Sequence, residues 1–174
     1  MRHSQTDGAS TTRTSGPQGG GHSGHGMRGA YAALAVELAI DFVIMYLVMY
    51  TMIATLDHFH LNLNNVYMTL MMVAPMALVM LVAMRSMFKS RRLNIVIAAG
   101  AVLVFGASFI AMRTQAAVGN EEFLRSMIPH HSGAILMCEQ AALTDPELVS
   151  LCAQIVKSQQ AEISRMQALL EGQK

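Results

Sequence analysis

Twelve consecutive residues, MIPHHSGAILMC from Met127 to Cys138, concentrate the side chains of this chain that could do chemistry. At 100° per residue, positions 127, 130, 131, 134, 137 and 138 fall along one stripe of a helix. Two imidazoles, two thioethers and a thiol therefore converge. Soft sulfur ligands select Cu(I), and imidazole suits copper or zinc, so copper is the metal this mixture favours. The plain alternative is a packed core in which methionine fills gaps and histidine is satisfied by hydrogen bonds. Adjacent His130 and His131 on a face expected to be buried weigh against it, because buried polar groups need partners.

Two amphipathic helices must position this stripe. On the first, Phe123, Met127, His130, His131, Ala134, Met137, Cys138 and Ala141 share a sector; on the second, Leu148, Leu151, Cys152, Ile155, Gln159, Glu162, Ile163, Met166 and Leu170 do. Between them, Thr144-Asp145-Pro146-Glu147 has the Thr-x-x-Glu spacing of a capping box, with proline tolerated in a first turn. The pattern predicts an antiparallel helical hairpin over 119–172, with the first helix kinked or begun at Pro129. Its second helix brings Met166, Cys152 and Glu162 toward the same interior. Cys138 and Cys152 face each other, either as a disulfide, as an oxidising compartment favours, or as a thiolate pair for Cu(I). A hairpin of about 50 residues is too small for a self-sufficient core, so it must self-associate or dock on the rest of the chain.

The rest of the chain is a membrane anchor. Of 174 residues, 53% are hydrophobic and only 13% charged, against about 25% charged in soluble domains. The net charge of +1 removes the electrostatic footprint of nucleic-acid binding. Residues 1–29, rich in Gly, Ser and His, read as a flexible tail rather than a cleaved signal peptide. Residues 30–113 hold three apolar stretches, Tyr31 to Leu56, Val66 to Met84 and Asn94 to Met112, each near the length that spans a bilayer. Lys and Arg flank the spans at Arg28, Arg85, Lys89, Arg91 and Arg92, while Asp57 to Asn65 has none. The positive-inside rule then puts the N-terminus in the cytoplasm and the C-terminal hairpin outside it, in the periplasm if the membrane is a bacterial inner membrane.

The segment from Glu122 to Leu170 resembles the domain of unknown function 305 family. The resemblance rests on Phe123, the Met127-Ile128-Pro129-His130-His131 run, Ala134, Met137, the Asp145-Pro146-Glu147 turn, and Gln159-Gln160 followed by Glu162-Ile163 and Met166. It implies an all-α, ferritin-like fold, of which one hairpin is half a four-helix bundle, and copper binding by Met127, His130, His131, Met137 and Met166. Family members with two hairpins can close such a bundle within one chain, whereas this chain has one.

Weaker candidates accompany this site. His58 and His60 in the first loop could form a second metal site or extend the first, against the ordinary alternative of solvated loop histidines. His3, His22 and His25 in the tail could hold metal loosely. Glu37, Asp41, Met45, Met49 and Met52 share a sector of the first span, and Met68, Met72, Met76, Met80 and Met84 repeat along the second; such stripes are more often packing than an ion path. The leading expectation is a membrane-anchored copper-binding protein that buffers copper, confers tolerance to it, or hands it to a copper chaperone or exporter, in contact with lipid and self-associated through the hairpin. The competing classes are a component of a metal transporter or channel, and a metal-free structural subunit. Enzymatic activity is disfavoured, because the chain has no Glu-x-x-His, His-Glu-x-x-His or Gly-x-Ser-x-Gly motif.

Overall fold

The computed structural model of the chain describes residues 23–173, with side chains from residue 29 onward. They form five α-helices: α1 (Ser23–Val48), α2 (Leu63–Ala83), α3 (Arg91–Thr114), α4 (Asn120–Gln140) and α5 (Pro146–Glu171). Single 3₁₀ turns at Met49–Met52 and Leu56–His58 follow α1, and no strand occurs among the described residues. Residues 1–22 of the expected tail, with His3 and His22, lie outside the described residues, as does the side chain of His25; 23–29 already belong to α1.

Three segments are long and apolar enough to cross a membrane: Gly29–Met52, Leu63–Ala83 and Arg91–Thr114. The helices α2 and α3 start upstream of the apolar stretches because polar caps set their ends. The Asn62 side chain accepts a hydrogen bond from the Asn65 amide at 2.9 Å, and the Ser90 hydroxyl accepts one from the Leu93 amide at 3.4 Å. Packing runs opposite to that of a soluble domain. Val79, Val82 and Leu103 face outward, while Ala74, Ala77 and Ala101 form the contact between α2 and α3. Small residues let helix backbones approach closely, the packing typical of helices in lipid. Leu34 of α1, Leu81 of α2 and Phe88 of the 84–90 connection form a second cluster.

The helices α4 and α5 share a core of Leu124, Ile128, Ile135, Ile163 and Leu170. Leu124 lies early in α4 and Leu170 late in α5, while a Cys138–Cys152 disulfide, with Cα atoms 5.2 Å apart, ties the other ends. The two helices are therefore antiparallel. This is the disulfide of the two alternatives the sequence left open; a disulfide sulfur is not a thiolate, so in this state Cys138 and Cys152 supply no metal ligand and drop out of the candidate ligand set.

Two further expectations need correction. Asp145, not Thr144, caps α5: its Oδ1 accepts from the Glu147 amide at 2.8 Å and the Leu148 amide at 3.2 Å. Pro146 occupies the first helical position, so the capping residue must be the one before it. The second concerns the face α4 turns toward α5. The expected sector omitted Leu124, Ile128 and Ile135, which are the residues that pack there, and Phe123 and Met137 are exposed. The physical reason is that α4 has two neighbours. It buries one face against α5 and another against the segment after α1, and no single amphipathic stripe describes such a helix. Pro129 does not interrupt α4, which runs through it.

Candidate functional site

Polar contacts fix α4 across one end of the three apolar helices. Ser132 is fully buried, and its Oγ accepts a hydrogen bond from the Ala54 amide at 2.7 Å and lies 2.8 Å from His58 Nδ1. Glu122 reaches α2, where its Oε2 accepts from the Leu63 amide at 3.0 Å. A helix start carries unpaired amide protons and the positive end of the dipole, so a carboxylate is favoured there. The loop between α1 and α2 is itself held from within. The Tyr50 hydroxyl donates to the His60 carbonyl at 2.9 Å, the Asn62 side-chain Nδ2 donates to the same oxygen at 3.1 Å, and the Tyr50 ring packs on Phe59 at 4.4 Å. The connection from α3 to α4, residues 115–119, is anchored where Tyr67 donates to the Ala116 carbonyl at 2.7 Å.

These contacts enclose a cavity of about 730 Å³ between α4, the Met49–Met52 turn, the start of α2 and the end of α3. Six methionines line it, Met49, Met52, Met68, Met112, Met127 and Met137, together with one imidazole, His130. Arg113, the charged residue of the lining, is exposed to solvent.

Of the residues expected to bind metal, Met127, His130 and Met137 are brought together here. His131 is not. Its ring lies between α4 and α5, its Nδ1 3.0 Å from Glu162 Oε2 but not along a hydrogen-bond direction. The His130 and His131 rings are 6.1 Å apart and tilted. Met166 packs against the α4/α5 core, and His58 is engaged by Ser132. His60, Glu37 and Asp41 line no part of the cavity, nor do Met72, Met76, Met80 or Met84. Among the described residues, no group of three or more His, Cys, Asp or Glu side chains could hold a metal ion. A metal at this end of the molecule would therefore draw on thioethers, with His130 as the nitrogen donor.

The structure adds Met112, Ser132 and Glu122 to the residues singled out in the sequence, and it places Met49, Met52 and Met68, from stripes that are more often packing, in the lining of this cavity. One signal was available: all four membrane-helix methionines of the cavity lie at the ends of the spans on the side that leads into α4. Ser132 and Glu122 left no such signal, because their partners are 59 to 78 positions away in sequence.

His58 gives this junction a pH dependence. Burial pushes its imidazole below the ordinary histidine value, with Asp57 beside it pulling the other way. A histidine lowered in this manner is held neutral by the fold, and the unfolded chain binds the extra proton first, so stability is full above about pH 6.5 and declines as pH falls below it. The contact gives the same direction. The Ser132 hydroxyl accepts from Ala54 and can donate only to an unprotonated Nδ1. Amide exchange at Ala54 is expected to accelerate from pH 7 to pH 5.5 relative to amides inside α3, and His58→Gln should flatten that difference. An unchanged ratio over this range would remove the role given to His58.

Residues 104–170 match the family described as domain of unknown function (DUF305). The uncharacterized protein L153 of Acanthamoeba polyphaga mimivirus is 34% identical over 116 residues, which cover 66% of this chain and 74% of that protein. No solved structure matches the chain.

Proposed function

Since the chain belongs to the DUF305 family, we propose that it is a membrane-anchored protein that binds Cu(I) reversibly in the cavity between α4 and the membrane helices, for buffering, tolerance or transfer. The observation that carries this reading is the gathering of six thioethers and the His130 imidazole around one space. Thioether sulfur is soft and uncharged, and a neutral donor set suits a monovalent cation better than a divalent one. Neither thioether nor neutral imidazole has to lose a proton to bind, so uptake needs no base. Bound copper would supply only its own affinity for sulfur and nitrogen. The protein's part is to hold the donors in place, through Ser132, Glu122 and the Tyr50–Asn62 loop.

In the proposed orientation the Arg85, Lys89, Arg91 and Arg92 end faces the cytoplasm, and the cavity with α4 and α5 faces outward, as in a bacterial plasma membrane. A copper chaperone or exporter is the partner this reading implies. Leu148, Val149 and Leu151 on the outer side of α5 offer a surface for self-association toward a ferritin-like four-helix arrangement. Binding is favoured over transport because the cavity does not extend along Met72, Met76 and Met80 of α2.

The test is an anaerobic Cu(I) titration of the full chain in detergent micelles against a chromophoric chelator. The combined variant Met49→Leu, Met68→Leu and Met112→Leu keeps side-chain volume and removes three thioethers. Apparent affinity is expected to fall at least about tenfold, a threshold taken from the effect of losing even one outer partner of a metal ligand. Unaltered affinity in this variant would refute the proposed site.

A further inference from the structure

At the end of the membrane domain opposite α4, the helices α2 and α3 part around a groove of about 500 Å³. Leu78, Val82 and Ile95 contribute to its apolar wall, and Arg85, Lys89 and Arg91 stand along it. The three cations are exposed, and none is ion-paired among the described residues. The sequence offers them no local partner, since no Asp or Glu occurs from His58 to Asn120. The backbone that carries them is held in place. The Asn94 side-chain Nδ2 donates to the Phe88 carbonyl at 2.8 Å, and its Oδ1 accepts from the Tyr31 hydroxyl at 2.7 Å, so the 84–90 connection is bound to both α1 and α3.

A basic flank of a membrane span is ordinary and serves orientation. An apolar recess directly beneath three unpaired cations is not needed for that. Its volume lies within the range of about 300–1,000 Å³ typical of small-molecule sites. An anionic phospholipid presents an apolar chain at membrane depth and a negative charge at the surface, and basic pockets between membrane helices recognise such headgroups. We propose that this groove is a binding site for one anionic phospholipid, with an acyl chain along Leu78, Val82 and Ile95 and the phosphate facing Arg85, Lys89 and Arg91. The site rests on the membrane spans alone and is independent of copper.

The experiment is native mass spectrometry of the full chain released from micelles, with phosphatidylglycerol, phosphatidylcholine or inorganic phosphate added. Phosphatidylglycerol is expected to be retained roughly 100-fold more strongly than phosphatidylcholine, from about 1 kcal/mol for each of three basic residues. The combined variant Arg85→Gln, Lys89→Gln and Arg91→Gln should abolish that preference, and Ala98→Phe, which fills the groove while leaving the cations, should lower retention of both lipids. The single variant Lys89→Gln, which should reduce the preference by about fivefold, serves if the triple variant does not fold. Equal retention of the two lipids by the wild-type chain would overturn the proposal. So would displacement of phosphatidylglycerol by equimolar inorganic phosphate, or a preference that survives loss of the cations.

Discussion

Replacing His130 by Ala is expected to lower the apparent Cu(I) affinity of the full chain by more than about 100-fold, because loss of an outer partner of a metal ligand alone costs about 10–100-fold. The neighbouring substitution His131→Ala is expected to change it by less than about tenfold on the same scale. The two residues are adjacent in sequence and chemically identical, but the helix turns them to different surroundings. His130 lines the methionine cavity, whereas His131 lies beside Glu162 at the α4/α5 contact. A competition titration of both variants decides the matter, with circular dichroism confirming that each retains its helices. Equal losses would mean that the two rings act together, and the cavity assignment would fail in that form. A greater loss from His131→Ala would move the site to the α4/α5 contact.

The largest effect on stability is expected from Ile128→Ala. Ile128 is fully buried at the centre of the cluster that joins α4 to α5, and α4 also anchors on the loop through Ser132 four residues later. Truncating a buried isoleucine to alanine removes its transfer free energy and leaves a void, with a loss of about 2–5 kcal/mol. The effect should appear as faster hydrogen exchange across α4 and α5, while the centres of α2 and α3 keep their protection. Leu148→Ala makes the control. Leu148 belonged to the face expected to be buried but is 48% exposed, and a surface change of this kind is worth within about 0.5 kcal/mol. Comparable losses from the two variants would show that α5 buries the opposite face.

These contrasts also indicate what could be read from the residues in order. The three segments long and apolar enough to span a membrane were legible because mean hydropathy over 20 residues needs no knowledge of neighbours, and α4 and α5 because their apolar residues recur at helical spacing. Met127, His130 and Met137 could be gathered because positions three and seven apart share a helix face whatever surrounds them. The separation of His131 from His130 could not be read, since it depends on α4 lying between two different partners. Nor could the contribution of Met112, which belongs to α3 and meets His130 only through the turn at 115–119. Periodicity reports which face a helix favours; it does not report how many faces the rest of the molecule will cover.

The brevity of that last connection sets a limit on where exchange can take place. Five residues, Gln115 to Gly119, separate the end of α3 from the first turn of α4, and fully extended they would reach no farther than about 18 Å. With α1, α2 and α3 crossing a bilayer as proposed, the histidine-bearing helix is leashed to its surface. Under the proposed copper-binding function, a macromolecule that delivers to it or collects from it would have to come close to lipid headgroups. A donor already confined to the same membrane would meet this mouth by moving in two dimensions, while a freely diffusing one would need a flat or basic underside to settle there.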